Sequence, residues 1–431
     1  MYHNAHCFSV RLEETVAAAD RKGMAPGLGV WMMLWAATAT VKPGGATLRN
    51  SCSPDAEPVA KLAAGSPVEL KFSLNGDLGQ CFKVAVGERS GYLLASELDG
   101  TSEYDRARAD APSLSSPQLI RAEMVRWRQE AAAGEASPSL SGVLQLLESN
   151  QPRQALELLE TRVLPRERSY TFLALAGVAA FQGDDARRAV EYLTEALAMQ
   201  PNPQLEELLA RARRELKQDR SRDRAASRYF VLRYDGTSIS APLAAEMSEA
   251  LDEEYQRISG LLGCRGAEKI TAIVQGADAY YATTGAAVWS GGQFDGRIHV
   301  PLLYENNRVG PRMRRAFAHE IVHACIAQWG SFPSWFHEGL AQKLSGESLT
   351  HEQRAAVAEA LREKRLPPIE KLDRTWSGLT GQAASLAYTC ALAAVELLIE
   401  QYGIEQVRGL LRRPETVSTL AVELSRKLVA R

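Results

Sequence analysis

Hydrophobic residues follow three different patterns along this chain of 431 residues, and the change of pattern is the strongest constraint on its fold. Residues 47–100 contain short alternating runs separated by glycines, which is typical of tight-turned strands. Residues 139–220 contain pairs of helical segments that recur at a spacing of roughly 34 residues. Residues 228–431 mix strands with helices. Because the chain is too long for one ordinary core, we predict a multidomain α+β protein with a small β-barrel, an α-helical repeat segment and a C-terminal α+β domain.

A hydrophobic segment near the N-terminus predicts export. Arg21 and Lys22 precede an uncharged run from Met24 to Val41, which ends near small residues. This order is typical of a signal peptide. We therefore predict that residues 1–46 form a signal peptide or, alternatively, an uncleaved membrane anchor, and that the protein is periplasmic or extracellular.

Two polar stretches are predicted to connect the modules. Residues 101–138 contain one helical pattern among prolines, so we interpret them as a linker with one helix. Residues 211–228 hold eight basic and three acidic residues and no aromatic residue for base stacking, so we interpret them as a solvated helix end and linker. A formal net charge of -2 gives no reason to expect nucleic acid as a partner.

The six cysteines include no C-x-x-C pair, so no cysteine zinc site is indicated. Export would permit disulfides. We expect Cys52 to pair with Cys81 because both lie in the predicted barrel, and we expect at least one thiol to stay free. Cys325 is predicted to lie in the core.

The stretch "AHEIVHA", residues 318–324, predicts a metal site. It lies in a helical pattern with Pro311 near its start, and residues four apart on a helix share one face. His319 and His323 can therefore bind one small cation, for which zinc is best suited, while Glu320 can take a proton from bound water. The alternative is a helix with two satisfied core histidines.

A second predicted helix supplies a third ligand. It begins at about Ser334, and Glu338 follows one and a half turns later. A turn and an antiparallel return would bring the Glu338 carboxylate to the same ion. His337 is a rival ligand, although it points about 100 degrees away around the helix.

These residues resemble those of the gluzincin metallopeptidases, the thermolysin-like class, and most closely the small peptidase MA-like domains of bacterial proteins. The resemblance rests on "AFAHEIVHACI", "PSWFHEGLAQ" and "WSGGQFDGRIHVP", and it covers roughly residues 228 to 410. It implies one catalytic zinc ion held by His319, His323 and Glu338, with Glu320 as general base. Thermolysin has an aspartate that orients a histidine four residues after its glutamate ligand, whereas Gln342 occupies this position here.

Two further residues are candidates for the same site. Tyr388 stands early in a late helix, where related peptidase domains also have a tyrosine, and its phenol could stabilise the oxyanion; a buried structural tyrosine is the alternative. His299 alternates away from its neighbours on a predicted strand and could line the cleft above the metal.

The upstream modules also resemble known families. Residues 59–98 resemble bacterial Src-homology-three-like domains, which implies a cell-wall or peptide ligand on the barrel. Residues 139–220 resemble tetratricopeptide repeats, which implies a protein partner on the repeats. The bland alternative for each is a structural spacer.

We therefore predict an exported zinc metallopeptidase that hydrolyses peptide bonds in a peptide or protein substrate. One alternative is a catalytically inactive scaffold that binds through its repeats and small barrel. Another is a non-peptidase metal hydrolase, because the site activates water without specifying the bond.

Overall fold

The computed structural model describes residues 38–50, 56–76, 79–87, 89–102, 123–129, 138–264, 266, 268–284, 286, 291–303, 308–372 and 381–430. Within these ranges the protein is mixed α+β, as predicted, and contains two sheets.

The N-terminal sheet has seven strands, and Leu48, Phe82 and Leu93 are fully buried in its core. The strands are β1 (Thr38–Val41), β2 (Ala46–Arg49), β3 (Pro58–Leu62), β4 (Pro67–Gly76), β5 (Gly79–Val86), β6 (Arg89–Leu94) and β7 (Leu98–Asp99), with a 3-10 turn at Ala95–Glu97. Their order in the sheet is β3-β2-β6-β5-β4-β1-β7. The pairings between sequence neighbours β4, β5 and β6 are antiparallel hairpins.

This sheet differs from the prediction in two ways. Its terminal strands β3 and β7 do not pair with each other in the described residues, so an antiparallel sheet that does not close stands in place of the predicted small β-barrel. Thr38–Val41, which we had assigned to the leader segment 1–46, forms β1 and pairs with β4 and β7. Its uncharged side chains extend the hydrophobic run in sequence, but Ala39 and Val41 alternate inward as in a strand. The remainder of the predicted leader, residues 1–37, lies outside the described residues.

Cys81 is buried in the sheet and is disulfide-bonded. Its predicted partner, Cys52, lies outside the described residues. The pairing between these two cysteines therefore stays a prediction.

A helical segment follows the sheet, as predicted from residues 139–220. The third of its helices is nearly surrounded, since ten residues of Tyr170–Gln182 are buried. Asp185 and Asn202 cap the next two helices by accepting hydrogen bonds from backbone N–H groups. The helices are α1 (Pro138–Glu148), α2 (Pro152–Leu158, continued by a π-helical turn at Leu159–Val163), α3 (Tyr170–Gln182), α4 (Ala186–Met199) and α5 (Pro203–Gln218).

Two stretches that we interpreted as linkers take part in cores. A short helix at 123–129 places Trp127 in the core of the helical segment, with no exposed surface. Within 211–228, Arg211 and Glu215 are buried in α5, and residues 223–226 form a strand. The expectation of a solvated helix end and linker at 211–228 is therefore wrong only in part, because six of its eight basic residues are exposed whereas Glu215 pairs with Arg297 of the C-terminal sheet.

The C-terminal sheet has five strands. They are β8 (Asp223–Ala226), β9 (Phe230–Tyr234), β10 (Ile270–Gln275), β11 (Gln293–Phe294) and β12 (Ile298–Pro301). Their order in the sheet is β11-β12-β10-β9-β8. Strands β9, β10 and β12 are parallel, and the edge strands β8 and β11 are antiparallel to their neighbours. The central strand β10 is buried along its whole length, as expected for a continuous apolar run in a parallel sheet.

Helices pack on this sheet to form the largest hydrophobic core of the described residues. Ser240 caps the first of them, and Pro242 stands in its first turn. The helices are α6 (Ala241–Leu262), α7 (Ala277–Thr284), α8 (Pro311–Ala327), α9 (Ser334–Leu344), α10 (His351–Arg362), α11 (Gly381–Tyr402), α12 (Ile404–Leu410) and α13 (Pro414–Val429), with a 3-10 turn at Ile369–Lys371.

Among the described helices, none combines the length and the apolar composition that crossing a membrane requires.

Candidate metal centre

Helix α8 presents the two motif histidines on one face. Pro311 occupies its first turn, and Phe317, Ile321 and Cys325 turn into the core with no exposed surface. The opposite stripe carries His319 and His323, whose rings are one turn apart with centroids separated by 4.9 Å. These two side chains retain 21% and 13% of their exposure, so both imidazoles can be reached from outside the core.

Helix α9 brings the third side chain to the same point. It begins at Ser334, as predicted, and directs Glu338 towards α8. The Oε2 atom of Glu338 lies 3.4 Å from Nε2 of His319 and 3.6 Å from Nε2 of His323. One ligand atom from each of the three residues lies within 4.8 Å of the others.

These separations suit a tetrahedral metal ion. A tetrahedral ion with ligands at about 2.1 Å holds neighbouring ligand atoms about 3.4 Å apart. A good N–H···O hydrogen bond is shorter, at about 2.9 Å. The structure therefore confirms that the three residues form a group able to hold a metal ion.

The carboxylates of the site are short of hydrogen-bond donors. Oε2 of Glu338 and Oε2 of Glu320 are buried and have no hydrogen-bond partner within the described ranges. A buried carboxylate oxygen without a partner is costly, and a bound cation would compensate it. This shortage is the second observation that fits a metal ion.

The two glutamates have opposite pKa shifts. Burial raises the pKa of Glu320 to about 8, and the nearby Glu338 carboxylate adds to the rise although His319 opposes it. Burial also acts to raise the pKa of Glu338, but His323 and His319 outweigh it and hold this pKa below its usual range. Glu338 is thus suited to remain a charged ligand, and Glu320 is the more basic carboxylate.

The edge of the sheet approaches Glu320 closely. A Cβ atom on Gly292, directly before β11, would lie 2.8 Å from both Cγ and Cδ of Glu320. A residue with a side chain does not fit there without a shift of the Glu320 carboxylate. Gly292 therefore forms one wall beside the general base that we predicted.

Tyr388 also lies beside the site, in α11. Its phenol donates a hydrogen bond to the Glu338 carboxylate, and its pKa is raised well above the ordinary value by burial and by the carboxylates of Glu338 and Glu320. The phenol therefore stays protonated and can donate. The amide nitrogen of Gln342 donates to the backbone carbonyl of Tyr388 at 3.0 Å, so Gln342 connects α9 to α11.

Two other residues considered from the sequence lie near or away from this point. The His337 ring lies beside that of His323, with 5.7 Å between centroids, and it is not part of the three-residue group. His299 is 2% exposed, and its Nε2 atom lies 3.2 Å from Asp295. The prediction that His299 lines the cleft is wrong, because its imidazole is enclosed with a buried carboxylate.

Sequence reasoning missed the buried charges around His299. Glu215, Asp295 and His299 form a second group with metal-ligand spacing. The guanidinium of Arg297 already occupies it, with hydrogen bonds of 2.7 and 2.8 Å to Glu215 and 3.0 Å to Asp295. A metal ion there would meet a second positive charge, so we assign no ion to this group. In the sequence, Asp295-Gly296 indicates only a hairpin turn, and a charged residue alone gives no sign that it is buried.

A disulfide that was also missed supports the first helix of the site. Cys264, just after α6, is bonded to Cys325, two residues after His323, with 5.2 Å between their Cα atoms. Cys325 is buried, as predicted, and Cys390 is a free, buried cysteine, in line with the expected free thiol.

A scan against protein-family models, a search of curated proteins and a search of solved structures each found no match to this chain.

Proposed function

We propose that the protein is a zinc-dependent metallopeptidase of the gluzincin type. One observation carries the proposal: His319, His323 and Glu338 direct three ligand atoms to one point, beside a buried Glu320 carboxylate whose Oε2 atom has no hydrogen-bond partner among the described residues. Two imidazoles and one carboxylate with an open position are the donor set of catalytic zinc, whereas calcium and magnesium prefer oxygen ligands.

Each residue then has a separate role. Zinc, when bound, polarises a water molecule and lowers its pKa. Glu320 lies one position after the first ligand and accepts the proton of the attacking water. The same carboxyl group later returns the proton to the leaving amine. The protonated phenol of Tyr388 would exchange its hydrogen bond to Glu338 for one to the substrate carbonyl, where negative charge develops.

We propose that the enzyme works outside the cytoplasm. Cys264–Cys325 and the disulfide at Cys81 support this location, because such bonds persist in oxidising compartments. The upstream parts would place the enzyme or its substrate, with a cell-wall or peptide ligand on the Src-homology-three-like sheet and a protein partner on the tetratricopeptide-like helices. A peptide or protein remains the proposed substrate.

The direct test is hydrolysis by the full chain after equilibration with zinc. The chain is incubated with a mixture of peptides of varied sequence, and the products are identified by mass spectrometry. Glu320→Gln is the matched control, because the amide keeps the shape of the side chain and cannot accept the proton. We expect cleavage by the natural chain and a rate lower by about 10²–10⁴-fold in the variant, with its zinc retained.

Other outcomes would indicate a different function. Equal rates in both chains would contradict the role of Glu320. Bound zinc without turnover of any peptide would favour the scaffold, and cleavage of esters but not of peptides would favour a non-peptidase hydrolase.

A further inference from the structure

The helical segment packs against the β11–β12 hairpin of the C-terminal sheet. The turn of this hairpin is Asp295-Gly296, where Gly296 has a φ of +98°. A Cβ atom on Gly296 would lie 2.7 Å from Cγ of Gln182 in α3. Glycine is thus required twice, by the backbone conformation and by the contact with the helical segment.

Arg297, the residue after this turn, makes most of the contacts between the hairpin and the helical segment. Its side chain has no exposed surface. The guanidinium makes a two-pronged hydrogen bond to Glu215 in α5, at 2.7 and 2.8 Å, and lies 4.2 Å above the ring centre of Phe181 in α3. Glu215 and Phe181 both belong to the helical segment, so Arg297 joins the sheet to this segment by charge and by packing.

The same guanidinium fixes the turn itself. Arg297 donates through Nη2 to Asp295 at 3.0 Å and through Nε at 3.2 Å, and its backbone N–H donates to the same carboxylate at 3.2 Å. The Asp295 backbone N–H donates in return to the Arg297 carbonyl at 3.0 Å. The position of the turn therefore depends on one buried cation whose other partners are in the helical segment.

The hairpin transmits this position to the candidate metal centre. Gln293 pairs with His299 and Phe294 with Ile298 across β11 and β12. Gly292, the residue directly before Gln293, lies against the Glu320 carboxylate. Only a few residues separate the Arg297 contact from the wall beside the general base.

From these contacts we infer that Arg297 is a positioning residue, through which the helical segment holds the hairpin and thereby the Gly292 wall against Glu320. The helical segment is then part of the hydrolytic unit and not only a docking module. The catalytic part of this inference rests on the proposed function, while the structural part does not.

The test compares two neutralising substitutions in the helical segment of the full, zinc-equilibrated chain. Glu215→Gln keeps the shape of the side chain but removes the buried charge that faces Arg297. Glu195→Gln is the matched control, because Glu195 pairs with Arg168 on the exposed surface of the same segment. Hydrogen exchange of the peptide spanning 291–303 is measured by mass spectrometry, together with kcat, KM and zinc content.

We expect hairpin exchange to be at least tenfold faster in Glu215→Gln than in the natural chain, and unchanged in the control. We expect kcat per bound zinc to fall at least fivefold with KM changed less than twofold, because Glu320 acts in the chemical step. Glu215→Asp, which keeps the charge, should restore part of kcat. A loss of overall stability alone would not separate kcat from KM or respond to the restored charge.

If Glu215→Gln does not fold, Phe181→Leu weakens the contact between Arg297 and the helical segment without leaving a buried charge unpaired. The same faster exchange of the hairpin is then expected. Unchanged hairpin exchange in a folded variant overturns the inference, as does faster exchange with an unchanged kcat. If the natural chain hydrolyses nothing, the proposed function fails and the catalytic part of the inference fails with it. The exchange measurement then decides separately whether Arg297 holds the hairpin.

Discussion

Replacing Gly339 with alanine should destabilise the contact between the metal-binding helix α9 and α11. A Cβ atom on Gly339 would overlap the carbonyl oxygen of Ala391 and lie 2.6 Å from Cγ2 of Val395, whereas ordinary contact begins near 3.4 Å. The two helices would have to separate by about 1 Å, which costs roughly 1–3 kcal/mol as overpacking. Alanine also has a higher helix propensity than glycine, by about 1 kcal/mol, and this gain offsets part of the cost.

Gly260→Ala separates these two contributions. Gly260 lies in α6, and an added Cβ meets no atom within 4 Å. This control gains the helix propensity without the overlap, so the two variants should differ by about 1–3 kcal/mol in unfolding free energy. Urea unfolding followed by circular dichroism measures the difference. Equal shifts of the midpoint in the same direction would refute the close approach of α9 to α11.

Three further predictions concern the disulfide, the sheet edge and the metal. Replacing both Cys264 and Cys325 with serine removes a disulfide that links positions 61 residues apart. The larger chain entropy of the unfolded state should then lower the unfolding free energy by about 4 kcal/mol, which urea unfolding measures. No loss of stability would contradict a formed disulfide. Gly292→Ala should lower kcat by displacing Glu320 without loss of zinc, whereas Gly291→Ala, which meets no atom within 4 Å, should not; equal kinetics in both variants would contradict the wall. Zinc at a hundredfold excess over its dissociation constant should raise the unfolding free energy by about 2.7 kcal/mol, and an unchanged melting temperature would contradict binding to the folded chain.

Local signals were enough to predict the helices of the site. Pro311 and Pro333 mark the starts of α8 and α9, and the spacing of His319 and His323 places both on one face. The approach of Glu338 followed from an antiparallel return of the chain. Each of these signals depends on residues close in sequence.

Features that depend on distant residues could not be predicted in the same way. Arg297 and Glu215 are 82 residues apart, and a charged residue alone gives no sign that it is buried. The pairing of Cys264 with Cys325 is likewise not encoded in cysteine spacing. The buried acidic residues within 211–228 could not be recognised for the same reason, since their partners are in the C-terminal sheet.

The most direct test of the central claim is the zinc content of the purified full chain. The chain is equilibrated with zinc, desalted and subjected to elemental analysis beside Glu338→Ala, which removes one of the three ligands. The account predicts about one zinc ion per natural chain and a clear loss in the variant. No retained zinc in the natural chain, or equal zinc in both, would contradict a site formed by His319, His323 and Glu338.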